Sequence, residues 1–140
     1  MPILQDAEIT DKIINAFFAV YDELGFGFLE KVYCNALAYE FDTRSLAYTR
    51  EAPVDVFYKG LKVGHYKTDF IVAERVAVEV KASRVIDDGD RRQTLNYLRA
   101  TNHEVALLLH FGPKAAFQRL YFGNDHKRAL ILVDPQQKTG

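Results

Sequence analysis

Residues Thr68 to Lys81 read T-D-F-I-V-A-E-R-V-A-V-E-V-K, and the fold turns on how they are read. The second half alternates with a period of two, so Val76, Val78 and Val80 point to one face and Ala77, Glu79 and Lys81 to the other. The valines predict a strand inside a sheet. Ala73-Glu74-Arg75 is then a turn, and Leu61 to Val72 is the strand before it. A carboxylate and an ammonium in an inner strand need a reason, because taking a charge out of water is costly unless it is paired or binds a metal. Asp69 lies on the preceding strand, one short turn away. Two carboxylates and a lysine therefore converge on one patch. The plain alternative is a surface hairpin laced by Glu79–Lys81 and Asp69–Lys67 ion pairs, and exposed pairs of that kind are worth little.

Upstream, Ile9, Ile13, Phe17, Val20 and Tyr21 recur at helical spacing and predict a helix over residues 6–24, with Thr10 or Asp6 as its cap. Gly25-Phe26-Gly27 breaks the pattern. A second helix is predicted from Phe28 to Asp42, with Leu29, Val32, Tyr33, Ala36, Leu37 and Phe41 on its apolar face. Glu30 stands in its first turn, where the helix dipole alone favours a carboxylate. By helix spacing Tyr33 is a core-edge tyrosine, and Cys34 a buried small hydrophobe. Tyr48 to Tyr58 is a further strand, with Pro53 near an edge and Lys59-Gly60 as its turn. Gly64 marks a bulge in the strand that follows.

Downstream of the hairpin, Asp87-Asp88-Gly89-Asp90 reads as a solvated loop with a helix cap; its spacing does not fit a calcium loop. A helix is predicted from Asp90 to Thr101. The apolar run Glu104 to His110 then predicts a buried strand, parallel to a strand of the meander after a helical crossover. Ala116 to Phe122 and Ala129 to Val133 are two further strands, giving the order α-α-β-β-β-α-β-β-β.

The chain has 140 residues, room for one domain, with 49% hydrophobic and 26% charged residues. A net charge of -1 excludes a strongly basic whole-molecule field, so nucleic-acid affinity has to come from a local cluster. Cys34 is the lone cysteine, which rules out an internal disulfide or a cysteine metal cage and fits a reducing cytoplasm. No apolar run approaches the ~20 residues of a membrane span. The N-terminus lacks a basic region followed by an apolar one, so no signal peptide is expected.

Placed on adjacent antiparallel strands, Asp69 and Glu79 come within reach of one cation. Hard oxygen ligands suit Mg²⁺ or Mn²⁺, and neither cysteine nor a histidine pair invites zinc. Such an ion activates water and neutralises charge on a phosphodiester, and Lys81 on the same face would orient the water or steady the phosphate.

Gly27-Phe28-Leu29-Glu30-Lys31-Val32-Tyr33 matches the G-x-x-E-x-x-Y signature. The chain resembles the GxxExxY protein family of the PD-(D/E)XK nuclease-like superfamily. The similarity continues through Tyr58-Lys59-Gly60, Val63-Gly64, Asp69, Glu79-Val80-Lys81, Gln93, Asn96-Tyr97-Leu98 and the Leu107-to-Gly112 strand, over residues 9–122. It implies an α/β fold with an α-β-β-β-α-β core, a mixed sheet flanked by helices, and a metal-dependent DNA nuclease, with RNA left open as a substrate. It implies Glu30, Asp69 and Glu79 as metal ligands, Lys81 as catalytic lysine, and Gln93 and Tyr97 as the flanking Q-x-x-x-Y pair. Thr68 stands where the superfamily often has proline. No iron–sulfur cluster is expected, since the cysteines of such relatives are missing. Lys31, Arg84, Arg91, Arg92 and Arg99 are candidate phosphate contacts, or else a solvated helix face. Resolvase-like relatives raise the prospect of a homodimer; a membrane partner is not expected. The alternative is a non-catalytic nucleic-acid- or partner-binding module on the same fold.

Overall fold

A computed structural model describes residues 5–127. The elements are α1 (Ala7–Leu24), α2 (Glu30–Thr43), β1 (Tyr48–Tyr58), β2 (Leu61–Val72), β3 (Val76–Lys81), α3 (Asp88–Arg99), β4 (Val105–Phe111) and β5 (Ala115–Tyr121), followed by a 3-10 turn at Asn124–His126. The five strands form one sheet in the order β1-β2-β3-β4-β5. β3 and β4 are parallel, joined by the α3 crossover, and the other neighbours are antiparallel. This is the mixed sheet and α-β-β-β-α-β core that the sequence predicts. The strand expected at Ala129 to Val133 lies outside the described residues. β5, expected to pair with it, is paired with β4.

Both hairpin turns follow from local backbone chemistry. Lys59 and Gly60 have φ of 50° and 83°, and Ala73 and Glu74 have φ of 53° and 58°. Two successive positive φ values define the turn whose twist matches that of antiparallel strands. The register shift between Val56 and Phe57 places a bulge beside Gly64, as expected. Asp6 occupies the cap position of α1 without a side-chain cap bond; its carboxylate instead accepts from Arg75 Nε at 2.5 Å. α3 begins two residues earlier than predicted. Asp87 is its cap, and Asp90 closes a reciprocal capping box.

Period-two alternation divides the core. Val76, Val78 and Val80 join Val105, Leu107, Leu109 and Phe111 against α1 and α2. Ala77 and Ala106 face α3 with Tyr97, Leu98 and Leu120. β4, buried along its whole length, is the continuous apolar run covered on both faces. Glu79 and Lys81 consequently point toward the α3 side, at the end of β3 from which the crossover departs.

Candidate active site

The β2–β3 ladder stops at Phe70–Val78, just before the two carboxylates. Beyond that point side chains take over the cross-strand bonds. The Val80 amide donates to Asp69 Oδ2 at 2.7 Å, the Asp69 amide donates to Glu79 Oε1 at 3.3 Å, and the Thr68 hydroxyl donates to the Val78 carbonyl at 3.2 Å. Thr68 is buried, and its hydroxyl bond is one that a proline in its place could not make. Asp69 and Glu79 are thus interlocked, each holding a backbone amide that the opened ladder would leave unpaired. Each keeps a second oxygen beyond that bond.

This is not an exposed hairpin laced by ion pairs. Asp69, Glu79 and Lys81 are all partly buried. Among the described residues, the ion pair of Lys81 is with Asp90 in the first turn of α3, at 3.9 Å. Burial, and then the charge of Asp69, push the Glu79 carboxyl up to about 7. Burial likewise raises Asp69. Glu30 is raised by partial desolvation and then by Asp69. The Lys81 charge acts on all three in the opposite direction. Like charges held together in a low dielectric raise each other's pKa, and a cation among them reverses that.

Glu30 reaches this neighbourhood from the first residue of α2. Its placement depends on Tyr33, which is fully buried and not at the core edge. The Tyr33 ring stacks on Phe111 with centroids 4.1 Å apart. Its hydroxyl donates to the Gly25 carbonyl at 2.5 Å and accepts from the Phe28 amide at 3.2 Å. Gly27, at φ 118°, takes a backbone conformation that L side chains rarely adopt. The signature glycine and tyrosine together shape the loop that delivers Glu30. Tyr33→Phe should destabilise the fold by about 1–3 kcal/mol, the cost of leaving buried polar groups unpaired, read as a lower urea midpoint at unchanged slope.

The other predicted residues are placed as follows. Gln93 is exposed on α3, one turn past Asp90. Tyr97, a further turn along, is buried; its ring stacks on His103 and meets the edge of Tyr66, and its hydroxyl lies 3.4 Å from His103 Nδ1. Lys31, Arg84, Arg91 and Arg92 are exposed, and Arg99 is exposed at the far end of α3. At 1.5 Å per residue, that end is roughly 13 Å along the helix from Asp90.

Sequence reasoning missed several contributors. Asp90 steadies Lys81, and the Asp87-to-Asp90 capping spacing was its visible signal. Arg50 and Glu51 of β1 line a cleft with Asp69, which nothing in their local pattern announces. The Tyr66 hydroxyl is buried without a hydrogen-bond partner among the described residues. His110 lies beside Lys81 on β4, and its Nε2 donates to the Ser83 carbonyl at 2.6 Å, tying down the loop that leaves β3. A Cβ at Gly112 would come within 2.5 Å of the His110 ring.

Asp69, Glu79 and Glu30 offer carboxylate oxygens, the donor type a hard divalent cation takes. Among the described residues no three histidine, cysteine or acidic side chains are gathered into a ready-made metal cage. No described helix is long and apolar enough to cross a membrane.

No curated protein matches the chain. The solved structure of SSO0001 is similar at a TM-score of 0.46 and 16% identity, over 86% of this chain and 58% of that one, so the chain spans under two thirds of that structure's length. The model of the PD-(D/E)XK nuclease superfamily matches residues 7–120. That match runs from the first residue of α1 almost to the end of β5 and takes in Glu30, Asp69, Glu79 and Lys81, and on it the chain belongs to the PD-(D/E)XK nuclease superfamily.

Proposed function

We propose that the chain is a GxxExxY-type nuclease that hydrolyses phosphodiester bonds of DNA with Mg²⁺ or Mn²⁺. The interlock of Asp69 and Glu79 where the β2–β3 ladder opens, with Lys81 on the same face, carries this reading. Asp69, Glu79 and Glu30 would hold the ion. When bound, it supplies an acidic centre that lowers the pKa of water and offsets charge on the phosphate. Lys81, steadied by Asp90, donates to the attacking water or to a phosphate oxygen. Gln93 offers an amide one turn past Asp90. Tyr97 acts as a positioning residue, holding α3 against the sheet. Lys31, Arg84, Arg91 and Arg92 contact flanking phosphates, which orient the strand without reading its bases; Arg99 does so further along α3.

The test is cleavage of linear, flapped and branched DNA, with RNA in parallel. Turnover is expected with Mg²⁺ or Mn²⁺ and none in EDTA, and equal turnover by Lys81→Ala would sink the assignment. The rival reading is a non-catalytic nucleic-acid- or partner-binding module. The loose gathering of ligands among the described residues favours it, and it predicts salt-sensitive binding with no turnover.

A further inference from the structure

On the α2 side of Asp69 there is a cleft of about 520 Å³. Glu30, Lys31 and Asn35 of α2 line it with Arg50 and Glu51 of β1, and Asp69 lines it too. Its β1 wall includes an unusual backbone position. Glu51 has φ of 51°, the left-handed region that residues with a Cβ rarely occupy. On either side of it the ladder is regular, with Arg50 opposite Phe70 and Ala52 opposite Thr68. In a regular strand Arg50, Ala52 and Val54 would share one face. Here they do not. Ala52 and Val54 join the α3-side cluster. The Arg50 guanidinium lies over the Phe70 ring, 5.5 Å from its centroid, and Phe70 belongs to the α1–α2 side. Arg50 thus stands on the α1–α2 face, and with Asp69 it lines the cleft.

Arg50 is exposed and, among the described residues, has no carboxylate within ion-pair distance; the same holds for Lys31 on the opposite wall. The exposure of Arg50 leaves its guanidinium N–H groups open to a ligand, and a guanidinium edge matches two phosphate oxygens at once. The volume lies within the ~300–1,000 Å³ of small-ligand sites. It suits a nucleotide rather than a duplex.

We propose that this cleft is a phosphate subsite for a single nucleic-acid strand. Arg50, with Lys31 across from it and Asn35 one turn along α2, holds the nucleotide beside the one under attack. The subsite rests on the nuclease reading above and adds to it the path by which one strand reaches Asp69.

The test is binding of a labelled single-stranded oligodeoxynucleotide in Ca²⁺, followed by anisotropy across a salt titration. Arg50→Met keeps the stem over Phe70 and removes the charge; Lys31→Gln does the same on α2. Each is expected to weaken binding about tenfold and to flatten the dependence of log affinity on log salt by about 0.7, the value of one single-strand phosphate contact. Arg50→Lys should restore the slope and only part of the affinity. If Arg50→Met fails to fold, Lys31→Gln carries the comparison. Wild-type affinity and slope in these variants would overturn the subsite and leave the nuclease reading standing. So would a lower melting temperature for Arg50→Met with an unchanged slope, since Arg50 would then only cover Phe70. A wild-type protein that neither binds nor cuts nucleic acid would overturn both.

Discussion

Asp69→Asn is expected to lower metal-dependent cleavage by on the order of 10²–10³-fold, the scale of losing one preorganised electrostatic group, while the protein stays folded. The isosteric amide keeps an oxygen for the Val80 amide that Asp69 Oδ2 now accepts from at 2.7 Å. What it removes is a charge. In metal-free buffer that charge is unfavourable, because burial raises the Asp69 carboxyl and its charge in turn raises that of Glu79. Activity should therefore fall while the melting temperature in EDTA holds or rises. A merely structural role for Asp69 gives the opposite pairing, with both falling together. The experiment measures single-turnover cleavage and thermal unfolding on the same preparation, and full cleavage by Asp69→Asn would remove it from the site.

The second large effect is a pH-dependent stability that divalent ions reverse. The Glu79 carboxyl is held at about 7 against an ordinary 4.5. Between those values the folded protein binds more protons than the unfolded chain, so stability falls as pH rises through that window. A displacement of that size is worth about 3 kcal/mol. The raised carboxyls of Asp69 and Glu30 act in the same direction. In EDTA the protein should be more stable near pH 5 than near pH 8. Mg²⁺ binds the ionised carboxylates, so its stabilisation should be largest at pH 8 and fade toward pH 5. At one hundred times its dissociation constant the gain is about 2.7 kcal/mol. Glu79→Gln keeps an oxygen for the Asp69 amide and should flatten most of the pH slope in EDTA. The same slope in that variant would place its origin elsewhere.

The sheet was legible because its strands carry distinct periods. Val76 to Lys81 alternates and has one polar-lined face; Val105 to Phe111 does not alternate and is buried on both. Short turns named the antiparallel pairs, and the longer crossover named the parallel one. The pairing of Asp69 with Glu79 could be reasoned from the turn length alone. How they meet could not, since side chains replacing ladder bonds is an outcome of packing and not of pattern. Tyr33 shows a different limit. Its position on the helix face was readable, but its full burial follows from Phe111, far along the chain. Arg50 was hidden most completely. Alternation places it with Ala52 and Val54, yet it lies over Phe70 on the other face, beyond the left-handed Glu51.

The two hairpin turns share a backbone shape and have opposite tolerance to change in length. Between Asp69 and Glu79 the chain has no freedom. One residue inserted at Ala73-Glu74 would carry every following side chain of β3 to the wrong face and part the carboxylates. The turn at Lys59-Gly60 closes an arm whose inner strand pairs with β3 only over Phe70 to Val72. Matched pairs of residues added or removed there change how far the arm projects and leave the carboxylate register untouched. The reach of that arm and the spacing of the two carboxylates are therefore separable features of the fold.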